Sequence, residues 1–362
     1  MAADLPNRDS FEIAVLAGDG IGPEVMDAAQ EVLRRVEQVM RAQGSEFELR
    51  FLPASAGAGQ FLKSGDALPE TTVEICRAAD AVLLGAMGLP SVRWPGGREL
   101  TPQIDLRERF DLYRGERPVR LYHPSDSPLK NVAAGSIDFV ILRESTEGLF
   151  SSRLQSEPFS DDEVCDTLKV TRRGSLRLFH DAFKMARCRR RLVTLVDKAN
   201  VLPSMVYFRR LFDEVAQQYP DVRTERVYVD AAALFLVRRP ESFDVLVTEN
   251  MFGDILSDLA AALVGGMGMA PSADVGPDVA VFQPCHGTAP DIAGLGIANP
   301  VAMILSAGMM LDWLGTPLCI TAAARLRRAV EAVLQDPSAR TPDLGGKLTT
   351  AQLTRLIVQA VG

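Results

Sequence analysis

Short apolar segments alternate with longer helical stretches along this chain, and this alternation restricts the fold more than any other feature. Residues 11–17 and 192–196 have the β-branched, apolar character of buried strands. The other predicted strands are 81–84, 137–142, 226–229 and 245–247, and the predicted helices include 176–189, 204–218, 301–313, 321–335 and 350–360. Because strands and helices alternate, we expect an α/β fold. Segment 264–300 is rich in Gly and Pro, so we expect it to be mostly loop.

Length and charge exclude several classes of protein. The chain has 362 residues, of which 47% are hydrophobic and 24% charged, and this is enough for two domains. Its net charge of −8 disfavours a nucleic-acid partner held by phosphate contacts. The N-terminal segment is polar and no apolar run reaches the length of a membrane span, so we expect a cytoplasmic protein without a membrane partner.

Two aspartates, Asp254 and Asp258, lie one helical turn apart in the stretch NMFGDILSD. This spacing places both carboxylates on one face of a helix, where their repulsion is costly unless a cation lies between them. Carboxylate oxygens suit hard divalent ions such as Mg²⁺ or Mn²⁺. The alternative is a solvated acidic helix face, and the pair alone does not exclude it.

Polar residues that follow predicted strands offer further candidates. Asp230 comes directly after the strand 226–229 and is either a third carboxylate for the cation or a cap for the next helix. Lys198 follows the apolar strand 192–196, and it is either a proton acceptor with a lowered pKa or a surface lysine. Asn200, two residues later, is a polar contact for substrate or cofactor.

Three arginines are candidate ligands for carboxylates, because a guanidinium binds a carboxylate through two parallel hydrogen bonds. Arg107 falls in the stretch LRERFD (106–111) and Arg117 in GERP (115–118), and Arg143 follows the predicted strand 137–142. The chain contains many arginines, so each of the three taken alone is expected to be a surface residue.

The loop that begins at His286 is a candidate nucleotide site. Gly and Pro punctuate it, and Asp291 is suited to accept hydrogen bonds from a ribose diol and to repel a 2′-phosphate, which favours NAD over NADP. The early turn at residues 18–22, GDGIG, is not the GxGxxG pattern of dinucleotide-binding strands. We therefore do not expect a Rossmann fold.

Taken together, these stretches resemble one family, the decarboxylating β-hydroxyacid dehydrogenases. The resemblance is carried by five segments in the order of that family. They are GDGIGPEV (18–25), RESTEG (143–148), VDKANVL (196–202), NMFGDILSDLA (250–260) and HGTAPDIAGLGIANP (286–300). Five motifs in register over most of the chain make the resemblance highly specific.

The resemblance implies a two-domain isopropylmalate/isocitrate dehydrogenase-like α/β fold. Residues 1–112 and 265–362 would form the larger, cofactor-binding domain, and residues 113–264 the smaller central domain for substrate and dimerisation. It also implies a homodimer with shared active sites, in which Lys198 and Asp230 enter the site of the partner subunit.

The resemblance further implies the role of each site residue. Asp230, Asp254 and Asp258 would bind Mg²⁺ or Mn²⁺, and Lys198 and Asp230 would serve catalysis. The residues implied to bind a small dicarboxylate substrate are Arg107, Arg117, Arg143, Gln103 and Asn200. Those implied to bind NAD are His286, Gly287, Ala289, Asp291, Ile292 and Asn299. The implied reaction is oxidation of a malate hydroxyl by NAD⁺ followed by loss of CO₂, with Lys198 as the base.

Two positions depart from the family pattern. Phe150 stands where the family usually has a tyrosine that serves the acid step, so either another group supplies the proton or decarboxylation is impaired. Gln103 stands where isopropylmalate enzymes usually have a leucine that contacts the C3 substituent, and its amide matches an apolar group less well.

We therefore expect an enzyme acting on a 3-substituted malate, with the isopropylmalate type as the default. The alternatives are a D-malate or tartrate dehydrogenase and, from a different class, a non-catalytic regulatory subunit. The presence of the aspartates, the lysine and the arginines argues against the regulatory subunit.

Overall fold

A computed structural model describes residues 8–154 and 162–362 of the chain. Its strands form one mixed sheet of ten strands in the order β2-β1-β3-β10-β9-β4-β5-β8-β6-β7. The strands are β1 Ser10–Gly18, β2 Glu48–Pro53, β3 Ala81–Ala86, β4 Arg114–Arg120, β5 Asp138–Glu144, β6 Leu192–Asp197, β7 Arg223–Tyr228, β8 Val245–Thr248, β9 Pro271–Val275 and β10 Ala280–Pro284. The predicted α/β fold is confirmed.

Helices cover both faces of this sheet. They are α1 Gly22–Ala42, α2 Ala58–Ser64, α3 Glu70–Ala78, α4 Pro102–Arg109, α5 Arg172–Arg187, α6 Pro203–Ala216, α7 Val229–Arg238, α8 Asn250–Ala262, α9 Val301–Leu314, α10 Pro317–Leu334 and α11 Thr350–Ala360. Helix α9 is apolar nearly all round and buried along most of its length, as expected of a helix packed between other elements. No helix within residues 8–154 or 162–362 is long and apolar enough to cross a membrane.

The middle of the sheet is antiparallel and its two wings are parallel. Strands β10, β9, β4 and β5 pair in antiparallel order, and parallel strands continue outward from each side. In this register Gly115 lies opposite both Asp274 and Arg143. The antiparallel middle therefore brings the end of β5 and the interior of β9 to the same place, although they are far apart in the chain.

Segment 264–300 is mostly loop, as predicted, but it also contains strands β9 and β10. Both strands are only five residues long and completely buried. Their prolines, Pro271 and Pro284, lie at strand ends, directly opposite each other. Proline is tolerated there because a strand end needs fewer backbone donors. The two prolines therefore mark the ends of two buried strands.

The beginning of one helix is set by a proline, and that of another differs from prediction. Pro102 opens α4 as a first-turn residue, where proline is favoured. Val229 was predicted to end a strand, and it is instead the first residue of α7.

The buried hydrophobic residues form separate clusters. One cluster joins β1, α1 and β3 with helices α9 to α11, and a second joins β5, α5, β6 and α6. The division of the chain into 1–112 plus 265–362 and 113–264 stays a prediction.

Candidate functional site

A cavity of about 260 Å³ lies between α4, α8 and residues of the strands β3, β4, β5, β9 and β10. The predicted site residues that line it are Gln103, Arg107, Arg117, Arg143, Asp254, Asp258, His286 and Gly287. Phe150, Ile104, Ser257, Ser272, Gln283 and Cys285 also line it. Residues from six widely separated parts of the sequence therefore share one small, polar cavity.

The three predicted arginines are buried, which rules out the alternative that they are surface residues. Two of them contact Asp274 of β9. The Nε atom of Arg107 lies 3.1 Å from one carboxylate oxygen of Asp274, and the Nη2 atom of Arg117 lies 3.5 Å from the other. Gln283 donates a third hydrogen bond to the same carboxylate at 2.6 Å. Burial alone would raise the pKa of Asp274, but the neighbouring guanidinium groups hold it below its ordinary value.

Asp274 and Gln283 were missed by the sequence interpretation. Each is a polar side chain in a short buried strand, and a polar residue among apolar neighbours is the local signal that could have identified them. Their role depends on the pairing of β9 with β4, which local sequence does not reveal.

Arg143 is the most buried of the three, at 2% exposure. Its Nε and Nη2 donate to Asn250 Oδ1 at 2.9 and 2.6 Å, and its Nη1 pairs with Asp254. Burial and the charge of Arg107 lower the pKa of Arg143 to about 10, so it remains charged at neutral pH. The guanidinium also lies 5.2 Å from the centre of the Phe150 ring, a cation–π distance.

Asp254 and Asp258 face the cavity from α8, as their spacing predicted. Glu249 caps this helix by accepting from the backbone N–H groups of Met251 and Phe252 at 3.1 and 2.6 Å. Gly253 is needed there because a Cβ at this position would lie 2.7 Å from the Arg143 side chain. Burial and the charge of Asp254 raise the pKa of Asp258.

The two carboxylates of α8 are suitable oxygen ligands for a hard divalent cation, but they are incomplete as a set. Within residues 8–154 and 162–362, no group of three His, Cys, Asp or Glu side chains is placed to hold a metal ion. Asp230 is therefore not brought to Asp254 and Asp258 within one chain.

Lys198 and Asp230 instead bind each other outside the cavity lining, with 2.6 Å between Nζ and Oδ1. Asp230 lies in the first turn of α7 and its side chain is 70% exposed, whereas the N-cap of that helix is Tyr228. The helix-cap alternative for Asp230 is therefore wrong. Asn200 is exposed in the turn after β6. The structure brings none of these three residues to the arginines of the same chain.

The loop after β10 rests on the early glycine turn. The backbone N–H of Ile21 donates to Thr288 O at 2.9 Å, and a Cβ on Gly20 would lie 2.1 Å from that oxygen. Gly20 has a φ of +59°, so both the conformation and the close approach require glycine. The GDGIG turn is thus a support for the loop, and Asp19 binds the backbone of Ala58, at the start of α2.

The predicted cofactor residues are spread along that loop. Burial lowers the pKa of His286, whose Nδ1 lies 2.9 Å from Gly287 O, so the ring is neutral at neutral pH. Ala289 has a φ of +37°, Asp291 is exposed and Ile292 is partly buried. Asn299 is buried and donates to Asp343 Oδ2 at 3.0 Å. Asp343 was missed, because it lies 44 residues away in sequence.

Gln103 and Phe150 face the same cavity from α4 and from the turn Leu149–Ser152. The Oε1 atom of Gln103 is buried and has no hydrogen-bond partner. An unpaired buried acceptor is costly, so a ligand that donates a hydrogen bond to it would gain affinity.

Comparisons with known proteins show which family this chain is similar to. The family model for isocitrate/isopropylmalate dehydrogenase matches residues 12–361. The chain is 45% identical to the 3-isopropylmalate dehydrogenase of Moorella thermoacetica, over 96% of this chain and 98% of that one. It is 42% identical to the isocitrate/homoisocitrate dehydrogenase of Thermus thermophilus, over 97% and 99%. The crystal structure of isocitrate dehydrogenase from Methylococcus capsulatus is similar with a TM-score of 0.86 and 38% identity, over 97% and 99%.

Proposed function

Because this chain belongs to the isocitrate/isopropylmalate dehydrogenase family, we propose that it oxidises and decarboxylates a 3-substituted malate using NAD⁺ and a divalent cation. It is an oxidoreductase of the decarboxylating hydroxy acid dehydrogenase kind, and that family acts on small dicarboxylates. One observation carries the proposal. Three buried arginines and two aspartates of α8 converge on one cavity of about 260 Å³, a size suited to a small polyanion.

The arginines would bind the substrate carboxylates. Arg107 and Arg117 are held by Asp274, whose single negative charge balances only part of their positive charge. Arg143 is held by the amide of Asn250 and pairs with Asp254. Asp274, Asp254 and Asp258 balance the three arginines, so a divalent cation bound to the two carboxylates of α8 would leave positive charge that an anionic substrate would neutralise.

Asp254 and Asp258 would bind Mg²⁺ or Mn²⁺, with Asp230 of the partner subunit as the third carboxylate. When bound, the cation would polarise the oxygen at C2 and stabilise negative charge there. Lys198 of the partner subunit would accept the proton of the C2 hydroxyl as hydride passes to NAD⁺. The pairing of Lys198 with Asp230 supports the contribution of both residues by one subunit, because two side chains that bind each other would enter the partner's cavity together.

A homodimer with shared sites accounts for an exposed apolar surface beside that pair. Val201, Val206, Leu234 and Ile255 are between 53% and 64% exposed and lie on the elements next to Lys198 and Asp230 or on α8. Exposed large apolar side chains are typical of subunit interfaces. This surface is where we propose that the two subunits meet.

NAD⁺ would bind along the loop after β10. His286 and Gly287 border the cavity, where the nicotinamide must approach C2 of the substrate. Asp291 is exposed and free to accept hydrogen bonds from a ribose diol, and its negative charge disfavours a 2′-phosphate. We therefore propose NAD⁺ over NADP⁺, with Ala289, Ile292 and Asn299 completing the site.

For the C3 substituent we propose two candidates. The isopropylmalate type is the default, since several relatives at 40% to 45% identity bear that name. The buried, unpaired Oε1 of Gln103 favours instead a small malate such as tartrate, whose C3 hydroxyl could donate to it, with unsubstituted D-malate as the other small candidate.

Formation of NADH, followed at 340 nm with Mn²⁺, tests this proposal across isopropylmalate, D-malate, tartrate, isocitrate and homoisocitrate, with NADP⁺ as the comparison cofactor. We expect turnover with NAD⁺ and one preferred malate. Absence of turnover on every substrate, in protein that still binds one of them, would favour a regulatory subunit. Unchanged activity after EDTA treatment would overturn the metal assignment.

A further inference from the structure

The Arg153 side chain ties two distant segments together at the edge of the cavity. Arg153 directly follows the turn Leu149–Ser152, which carries Phe150. Its Nε donates to Glu108 Oε1 at 2.9 Å, its Nη2 to Asp105 Oδ1 at 2.6 Å and its Nη1 to Thr101 Oγ1 at 3.2 Å. All three guanidinium nitrogens are thus bonded to α4 or its N-cap.

These acceptors lie on a different side of α4 from the cavity. Asp105 and Glu108 are separated by three positions and share one helix face, whereas Gln103 and Arg107 are one turn apart on the roughly opposite face. Phe150 lines the cavity together with Gln103. The segment 149–153 therefore holds α4 from outside through Arg153 and faces it across the cavity through Phe150.

Helix α4 depends on such ties for its position. It has eight residues, of which only Pro102, Leu106 and Arg107 are buried. A helix this short is not stable by itself in water. Arg107 anchors its inner side to Asp274, and Arg153 binds its outer side.

We propose that Arg153 is a positioning residue that fixes the distance between α4 and Phe150, and so sets the width of the cavity between Gln103 and Phe150. This gap is where the C3 substituent of the malate would lie. The inference rests on the proposed function, because selection of a substituent has meaning only for a substituted malate.

Hydrogen exchange of the α4 backbone tests the structural half of the inference without any substrate. In Arg153→Ala, we expect the amides of residues 103–109 to exchange at least about tenfold faster than in the wild type. Arg327→Ala is the matched control, since it removes an arginine of α10 whose carboxylate partner, Asp312, lies on α9. Equal exchange of α4 in both variants would overturn the inference.

Steady-state kinetics test the functional half. With the preferred dicarboxylate, Arg153→Ala should raise KM about three- to tenfold, leave kcat within about twofold and leave the KM for NAD⁺ unchanged. Selectivity between malates with small and large substituents should also fall. Arg153→Lys should recover part of the loss, and the effect of Asp105→Ala with Glu108→Ala should not add to that of Arg153→Ala.

The outcomes separate the two proposals. Faster exchange of α4 with unchanged KM and selectivity would refute the role of Arg153 in substrate selection. A wild type that turns over none of the malates would overturn the proposed function, while the exchange experiment would still decide whether Arg153 holds α4.

Discussion

At the scale of single residues, the cavity is governed by how buried charges are compensated. Arg143 is held by an amide, a carboxylate and an aromatic ring, and Asp274 is held by two guanidinium groups and an amide. A buried charge is tolerated only with such partners. The substitutions of greatest interest therefore change one partner at a time.

Adding a hydroxyl group to Phe150 tests whether the protein lacks a proton donor at this position. Its ring lines the cavity beside Arg143 but has no proton to donate. If protonation of the enol limits the reaction, Phe150→Tyr should accelerate decarboxylation of a supplied β-keto acid by up to about 10²-fold. Phe150→Leu serves as the control for altered packing. An equal or lower rate in Phe150→Tyr would mean that another group already supplies the proton.

The buried carboxyl group of Glu144 predicts how the stability of the folded protein depends on pH. Burial raises its pKa from 4.5 to about 7, even though it accepts hydrogen bonds from the backbone of Thr146 and Glu147 at 2.9 and 2.5 Å. The folded protein therefore binds more protons than the unfolded chain between these pH values, so stability falls as pH rises through this window.

Glu144→Gln should remove that contribution, which is on the order of 3 kcal/mol. The measurement is the free energy of unfolding in urea at pH 4.5 and pH 8. We expect the free energy of unfolding to decrease less between pH 4.5 and pH 8 in Glu144→Gln than in the wild type. Glu74 is exposed, so Glu74→Gln should behave like the wild type. Identical pH dependence in all three proteins would contradict the assignment.

At the scale of elements, the site depends on contacts between turns and helix ends. The GDGIG turn supports the loop after β10, Glu249 caps α8, and Asp343 fixes Asn299. Each contact supports a segment whose side chains are predicted to bind the cation or NAD⁺. A change in the supporting element should therefore alter binding of a specific ligand.

Gly20→Ala tests the support of the cofactor loop. Its Cβ would displace Thr288, so we expect the KM for NAD⁺ to rise about tenfold with little change in the KM for the dicarboxylate. Gly44→Ala is a matched control, because Gly44 also has a positive φ, of +88°, but a Cβ there meets nothing within 4 Å. A KM for NAD⁺ in Gly20→Ala no higher than in Gly44→Ala would contradict the support of the loop by Gly20.

At the scale of the whole molecule, the question is whether one chain contains a complete site. Lys198 and Asp230 bind each other apart from Asp254 and Asp258. If the sites are shared, Lys198→Ala and Asp254→Asn each inactivate the homodimer, but a mixed dimer has one intact site.

Subunit exchange between the two inactive variants should then restore activity. A random 1:1 mixture should reach about a quarter of wild-type activity, because half of the dimers are mixed and each has one intact site. Mixing Lys198→Ala with itself is the control. No activity after verified exchange would mean that each site is built from one chain.

Local sequence was sufficient for the features that depend on neighbours in the chain. Apolar runs predicted β1, β3, β6 and β8, and the spacing of Asp254 and Asp258 placed them on one helix face. The motif resemblance then identified Arg107, Arg117 and Arg143, and the structure buries all three around one cavity. These features are encoded by periodicity and by short motifs.

Only the tertiary structure determined which of these residues meet. Asp274, Gln283, Asp343 and Arg153 acquire their roles from partners 9 to 167 residues away, and β9 and β10 exist because burial favours pairing in a segment with the composition of a loop. The physical reason is that burial and strand pairing are properties of the folded chain, whereas sequence periodicity reports only the local backbone. The sequence therefore determined the kinds of side chains available for catalysis, and the pairing of β9 with β4 decided how the buried charges among them are balanced.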